Sequence, residues 1–520
     1  MVRGYISKID RSVQPYGLVV PPSYSPNAPH RWRLDLWFHG RSETLSEVNF
    51  LSDRSRNPGE FTPRDTIVLH LYGRFCNASK FAGEVDLFEA TDAVKRQYPI
   101  DENRILVRGF SMGGASAWHI GAHYAGLWAA VAPGAGFSET AQYQKLRLTG
   151  EGAPPAWEQK LWHLYDATDY AGNLFNTSTV AYNGEIDPQK QAADMMERAM
   201  AEVGLRLIRV VGPQTAHRYH PDSKIEIARM LDAIAERGSD PYPRKVKFTT
   251  WTLAYNRMKW VTIDALGRHW ERTRLDAEIT GETSVNVDTQ NVTAFTLEMG
   301  SGGCPLDPAR KPVVIIDGQK VTAPGPMSDR SWTAHFRKSG SQWTMADTVT
   351  DAGLHKRHGL QGPIDDAFLD SFLFVSPTGA PQAPGVAKWV AAQEKKAVDE
   401  WRRQFRGDAQ VRDDTAVTDA DMASSNLVLW GDPGSNRVLA RIADRLPVKW
   451  PSAPTQVPIL IYPNPLNPKR YVVLNSGFTF EDYAARSNSL QTPKLPDWAI
   501  IDTAEGKIVR AGFFNENWGL

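Results

Sequence analysis

The chain has 520 residues, more than one hydrophobic core serves, so about two to four domains are expected. Lysine plus arginine (59) balance aspartate plus glutamate (59), which removes the electrostatic case for nucleic acid or an anionic membrane surface. Its 42% hydrophobic and 23% charged residues are ordinary for a globular protein, and no apolar run approaches the roughly 20 residues of a bilayer span.

Residues 1–240 alternate short apolar runs with amphipathic stretches, the pattern of a mostly parallel sheet covered by helices. Strands are expected at 33–38, 66–71, 104–108, 128–132, 179–182 and 205–211, with helices at 84–97, 112–124, 189–203 and 223–237. Past Gly238-Ser-Asp-Pro-Tyr-Pro the composition turns to Thr, Val, Tyr and Trp with period-two stretches, as in Lys245-Val-Lys-Phe-Thr-Thr-Trp-Thr-Leu. This predicts a small antiparallel β domain over 241–350. From 351 to 520, apolar runs such as Phe372-Leu-Phe-Val and Tyr471-Val-Val-Leu flank a helical stretch at 386–405, so a second α/β domain is expected. That region holds no Gly-x-Gly-x-x-Gly and no P-loop, so a nucleotide site is not indicated.

Within the first domain the chemistry concentrates around Ser111. Gly109-Phe-Ser-Met-Gly113 follows the strand ending near Arg108 and opens a helix, the strand-turn-helix setting of a nucleophile elbow. A serine hydroxyl needs a base to take its proton and a carboxylate to orient that base. In this arrangement the acid and then the histidine follow the serine along the chain, each after a sheet strand. Asp187, in Gly184-Glu-Ile-Asp-Pro188, is the chosen acid; Glu185 is its rival, and the plain alternative for Asp187 is a helix N-cap. His217 is the chosen base and His220 the rival, both in Gly212-Pro-Gln-Thr-Ala-His-Arg-Tyr-His-Pro. His119 and His123, inside the helix after the elbow, read as structural.

Two backbone N–H groups are needed to hold the oxyanion. Met112, following the nucleophile, supplies one, and Arg41, after His39-Gly40 at the end of an early strand, is the candidate for the other. His39, Arg74, Asn77 and His220 are candidate substrate contacts, with a solvated loop as the plainer reading of Arg74 and Asn77. Cys76 and Cys304 provide neither a disulfide framework nor a metal cluster, and no metal or organic cofactor is called for.

The elbow Arg108-Gly-Phe-Ser-Met-Gly-Gly114, the His39-Gly40 loop, Gly184-Glu-Ile-Asp187 and His217-Arg-Tyr-His-Pro221 resemble the prolyl-oligopeptidase-like α/β hydrolases. The nearer likeness is the esterase branch of polyhydroxybutyrate-depolymerase and feruloyl-esterase-like enzymes, over about residues 12–240. The resemblance implies an α/β-hydrolase fold with Ser111, Asp187 and His217 as nucleophile, acid and base. It implies a serine carboxylesterase acting on acyl or feruloyl esters of plant polysaccharide. Family peptidases carry a β-propeller ahead of the hydrolase domain, and almost nothing precedes it here. A peptidase on short peptides is therefore the second expectation, and a non-catalytic carbohydrate-binding scaffold the third. The appended segments leave oligomerisation through the C-terminal region open. Met1-Val-Arg-Gly-Tyr does not read as a signal peptide, so the expected compartment is the cytoplasm, or outside it if a leader was removed.

Overall fold

The apolar runs of the first 240 residues assemble into one eight-stranded sheet in a computed structural model that describes residues 1–41, 46–348, 353–480 and 487–520. Its strands are β1 (Val2–Ile6), β2 (Val13–Val19), β3 (Trp32–Phe38), β4 (Thr66–Leu71), β5 (Ile100–Phe110), β6 (Ala130–Gly134), β7 (Ser178–Gly184) and β8 (Ile208–Gly212), in the order β1-β2-β4-β3-β5-β6-β7-β8. β1 and β2 are antiparallel to each other, and β2 is antiparallel to β4. From β4 onward every pairing is parallel, as the α/β-hydrolase expectation requires. The helices are α1 (Glu47–Arg56), α2 (Ala82–Lys95), α3 (Met112–His123), α4 (Ala156–Leu161), α5 (Gln191–Glu202) and α6 (Pro221–Arg237). Every residue of α3 is buried. Its small residues allow that: a Cβ on Gly121 would lie 2.3 Å from Val131 of β6.

The sequence pattern did not indicate β1, β2 or α1. β2 contains Pro15 and Gly17, which argue against a strand on propensity, and an edge hairpin tolerates them. α1 buries only Phe50, so its apolar stripe is too thin to register as a helical period.

Residues 245–346 form two facing five-stranded sheets. One runs β16 (Gln319–Thr322), β15 (Val313–Ile316), β13 (Ser284–Gln290), β12 (Thr273–Gly281), β9 (Lys245–Thr250). The other runs β10 (Arg257–Met258), β11 (Val261–Leu266), β14 (Val292–Met299), β17 (Trp332–Ser339), β18 (Gln342–Ala346). Alternate side chains of β12 are buried, as the period-two pattern implied, and they join Phe248, Trp260 and Phe295 in a shared core. The expected all-antiparallel arrangement needs one correction: β13 and β15 pair in parallel. The chain crosses to the facing sheet for β14 between them, so it returns beside β13 in the same direction.

The last sheet runs β20 (Val411–Asp413), β19 (Phe372–Ser376), β21 (Asn426–Leu429), β23 (Asn467–Leu474), β22 (Gln456–Asn464), β24 (Trp498–Asp502), β25 (Lys507–Gly512). The long helix α7 (Pro384–Phe405) packs its stripe of Val386, Val390, Ala397, Trp401 and Phe405 inward. That stripe does not close a separate core. One apolar cluster runs continuously from Phe81 and Trp118 beside the first sheet to Trp401, Phe405 and Phe480. Phe81 and Phe480 meet ring to ring at 4.5 Å.

Asp86 of α2 lies fully buried at this junction, accepting hydrogen bonds from the Tyr5 hydroxyl and from the Gly73 N–H at 2.9 Å. Burial outweighs these bonds and the nearby Arg74 charge, and pushes its pKa up to about 6. A carboxyl raised on folding contributes stability below its unfolded value near pH 4, and that stability is lost as pH rises through about 6. Asp86→Asn keeps an acceptor for Gly73 and offers a donor to Tyr5. In urea unfolding, its stability relative to wild type is expected to improve by roughly 1–2 kcal/mol between pH 5 and pH 8. A difference that stays flat with pH would count against the raised carboxyl.

Candidate active site

Ser111 stands alone between the end of β5 at Phe110 and the start of α3 at Met112, with φ 62° and ψ −122°. A non-glycine residue in that region is strained, and the surroundings hold it there. Ser111 N–H bonds the Gly134 carbonyl at 2.8 Å. The turn closes because its neighbours lack side chains: a Cβ on Gly109 would lie 2.2 Å from the Gly113 carbonyl oxygen, and one on Gly113 2.1 Å from that of Phe38.

The loops after β7 and β8 bring in the other two groups. Asp187 is 1% exposed. Its Oδ1 accepts from the Gln189 N–H at 2.8 Å, so it caps the following short turn as well. Its Oδ2 lies 2.8 Å from His217 Nδ1, and His217 Nε2 lies 2.8 Å from Ser111 Oγ. The two sequence alternatives for Asp187 therefore hold together, since one oxygen caps and the other faces the histidine. The rival Glu185 is committed elsewhere: its Oε2 accepts from Gln214 N–H at 2.7 Å and from Gln214 Nε2 at 2.9 Å, fastening the loop that carries His217. Gly184 lets the two loops approach, because a Cβ there would sit 2.1 Å from the Thr215 carbonyl oxygen. The Phe110 ring packs 4.8 Å from the imidazole.

His220 takes no part in this line. It precedes α6, and its backbone N–H bonds the Tyr182 hydroxyl at 2.7 Å. His119 is buried and bonds Glu84 at 2.9 Å, with burial bringing its pKa down to about 3.

On the other side of Ser111 the loop after β3 runs close by: a Cβ on Gly40 would lie 4.0 Å from Ser111 Cβ. His39 is tied to the frame. Its Nε2 donates to the Tyr72 carbonyl at 2.9 Å, and burial holds its pKa below the usual imidazole value. This bond and the one between Nδ1 and the Gly40 carbonyl place His39 to support the Gly40–Arg41 backbone.

Arg74 and Asn77 also differ from expectation. Arg74 is fully buried, its guanidinium paired with Asp10 at 2.9 Å, and Asn77 is 2% exposed with its amide on the Gln404 carbonyl at 2.9 Å. Neither reaches solvent, because residues of the 384–407 stretch cover the loop that a reading of the first domain alone leaves open. Phe137 and Tyr143, absent from the sequence candidates, pack ring to ring at 4.8 Å in a tilted arrangement, and Phe137 lies against the Met112 cluster. They lie in a stretch with no strand or helix period, so no pattern marked them.

Residues 80–234 match the prolyl oligopeptidase family, a stretch that holds Ser111, Asp187 and His217. No curated protein matches the chain. Among solved structures, a puromycin-hydrolysing peptidase of Mycobacterium tuberculosis aligns at 14% identity and TM-score 0.35, over 46% of this chain and 39% of that one. An S-formylglutathione hydrolase of Staphylococcus aureus aligns at 14% identity and TM-score 0.34, over 45% of this chain and 98% of its own. A ferulic acid esterase aligns at 16% identity and TM-score 0.33, over 45% and 96%. The matched stretch lies within the eight-stranded sheet and its helices, which have an α/β-hydrolase arrangement, and it holds the three residues that meet at Ser111.

Proposed function

We propose that the protein is a serine carboxylic-ester hydrolase working through an acyl-enzyme. The observation that carries this is the unbroken line from Asp187 through His217 to Ser111, each step at 2.8 Å. His217 takes the Ser111 proton as the oxygen attacks the ester carbonyl, and Asp187 fixes the imidazole so that Nε2 faces the serine. The N–H groups of Met112 and Arg41 receive the developing oxyanion. His217 then returns its proton to the leaving alcohol, and a water activated by the same nitrogen hydrolyses the acyl-enzyme.

The His217 side chain is 38% exposed, so the triad opens to solvent and admits an ester carried on a large alcohol part. Phe137, packed against the Met112 cluster, and Tyr143 beside Phe137 would offer an apolar wall to an aromatic acyl group, which extends the reading to aryl esters such as feruloyl esters of plant polysaccharide. Sugar stacking on tryptophan is not part of it, since none of the 17 tryptophans is exposed. In this reading residues 1–240 are the catalytic domain, with 241–350 and 351–520 as appended units.

The second reading, a peptidase on short peptides with the same triad, is favoured by the prolyl oligopeptidase match. Parallel assays with p-nitrophenyl acetate, methyl ferulate and aminoacyl-p-nitroanilides separate the two. The esters are expected to turn over with the higher kcat/KM; faster anilide cleavage would reverse the order.

A further inference from the structure

We infer that the C-terminal region is a working part of the active site, with Arg74 as the positioning residue that links it to the oxyanion pocket. The inference rests on the reading of Ser111 as nucleophile and goes beyond it by bringing in residues far outside the family match.

The link is the loop after β4. Gly73, Arg74, Phe75, Ala78, Ser79 and Phe81 all have positive φ, between 51° and 83°. Five of these are not glycine, and such a run persists only where its surroundings hold it. The loop bears on both candidate oxyanion donors. Phe75, Cys76 and Ala78 pack directly against Met112. The carbonyl of Tyr72, at the loop's start, receives the His39 bond that steadies Gly40 and Arg41.

The C-terminal region in turn holds much of the loop. Arg74 Nη1 donates to the Phe405 carbonyl at 3.2 Å and to Asp10 at 2.9 Å, and Trp401 Nε1 donates to the same carboxylate at 2.8 Å. Asn77 reaches the Gln404 carbonyl. The Arg406 guanidinium lies 4.2 Å over the Phe75 ring. From the far end of the chain, Asn488 N–H and Ser487 Oγ donate to the Cys76 carbonyl at 2.9 and 3.2 Å. Lys80 Nζ donates to the Gln491 carbonyl at 3.2 Å. A buried guanidinium fork that joins Asp10, the end of α7 and this strained loop fixes the seat of Met112. Misplacing an oxyanion donor costs transition-state binding while leaving ground-state binding of the ester largely in place.

The test uses the full chain with Arg74→Met, Arg74→Lys and Ser487→Ala, assayed on one p-nitrophenyl ester and against phenylboronic acid, whose tetrahedral adduct occupies the oxyanion pocket. Arg74→Met is expected to lower kcat by about 10²-fold with KM within about threefold, and to weaken boronate inhibition in parallel. Arg74→Lys recovers part of the loss, and Ser487→Ala shows the same split more mildly. A merely structural role would lower the active fraction without changing boronate affinity. Folded Arg74→Met with wild-type kcat and boronate affinity overturns the inference. If that variant fails to fold, wild-type behaviour of both Arg74→Lys and Ser487→Ala overturns it. Fluorophosphonate labelling that persists in Ser111→Ala would instead overturn the underlying reading of the nucleophile.

Discussion

Ser111→Ala is expected to reduce ester turnover by about 10⁴-fold or more and to abolish fluorophosphonate labelling, with the unfolding midpoint near that of wild type. The size follows from the site's geometry. Removing Oγ removes the attacking atom and leaves the His217–Asp187 pair with nothing to activate, while the backbone amides still bind an oxygen. Asp187→Asn is the companion change. It keeps the cap to Gln189 but can present an amide N–H to His217 Nδ1, favouring the tautomer whose Nε2 carries the proton and cannot accept one from serine. Its turnover is expected to fall by a comparable factor of about 10⁴, while labelling at Ser111 becomes slow rather than absent. Turnover of Ser111→Ala near wild type would remove the mechanism.

Gly113→Ala carries the second large effect, on folding as well as activity. An added Cβ would lie 2.1 Å from the Phe38 carbonyl oxygen and 3.0 Å from that of His39. Neither is the end of a flexible side chain, so α3 or the end of β3 must shift, and β3 leads directly into Gly40 and Arg41. A destabilisation of about 3 kcal/mol or more is expected, together with loss of turnover in whatever fraction folds. Gly385→Ala at the start of α7 is the control, because a Cβ there meets nothing within 4 Å. Unfolding midpoints and kcat of the two variants check this; equal midpoints would mean the elbow is looser than its packing indicates.

The centre of the first sheet was legible in the sequence because its inner parallel strands are buried on both faces and read as continuous apolar runs. The run at 66–71 coincides with β4. Boundaries slipped where turn residues join a strand: β5 runs on to Phe110 and β7 to Gly184, past the expected ends. β25 escaped notice because Lys507–Gly512 is largely exposed and carries no apolar alternation. The elbow was readable because glycines at fixed offsets from a serine mark a backbone approach that no other residue permits.

By itself the sequence singled out Ser111 as the candidate nucleophile, the order of its proposed partners and most of the sheet that holds them, because these depend on local turn chemistry and burial along a single stretch of chain. Only the tertiary structure brings Asp187 rather than Glu185, and His217 rather than His220, into line with Ser111, since a loop's reach is set by what it packs against. It also moved Arg74 and Asn77 from the substrate to the interior. The residues that bury them, at 401–406, lie more than three hundred positions away, and no local pattern encodes a contact between two segments that far apart.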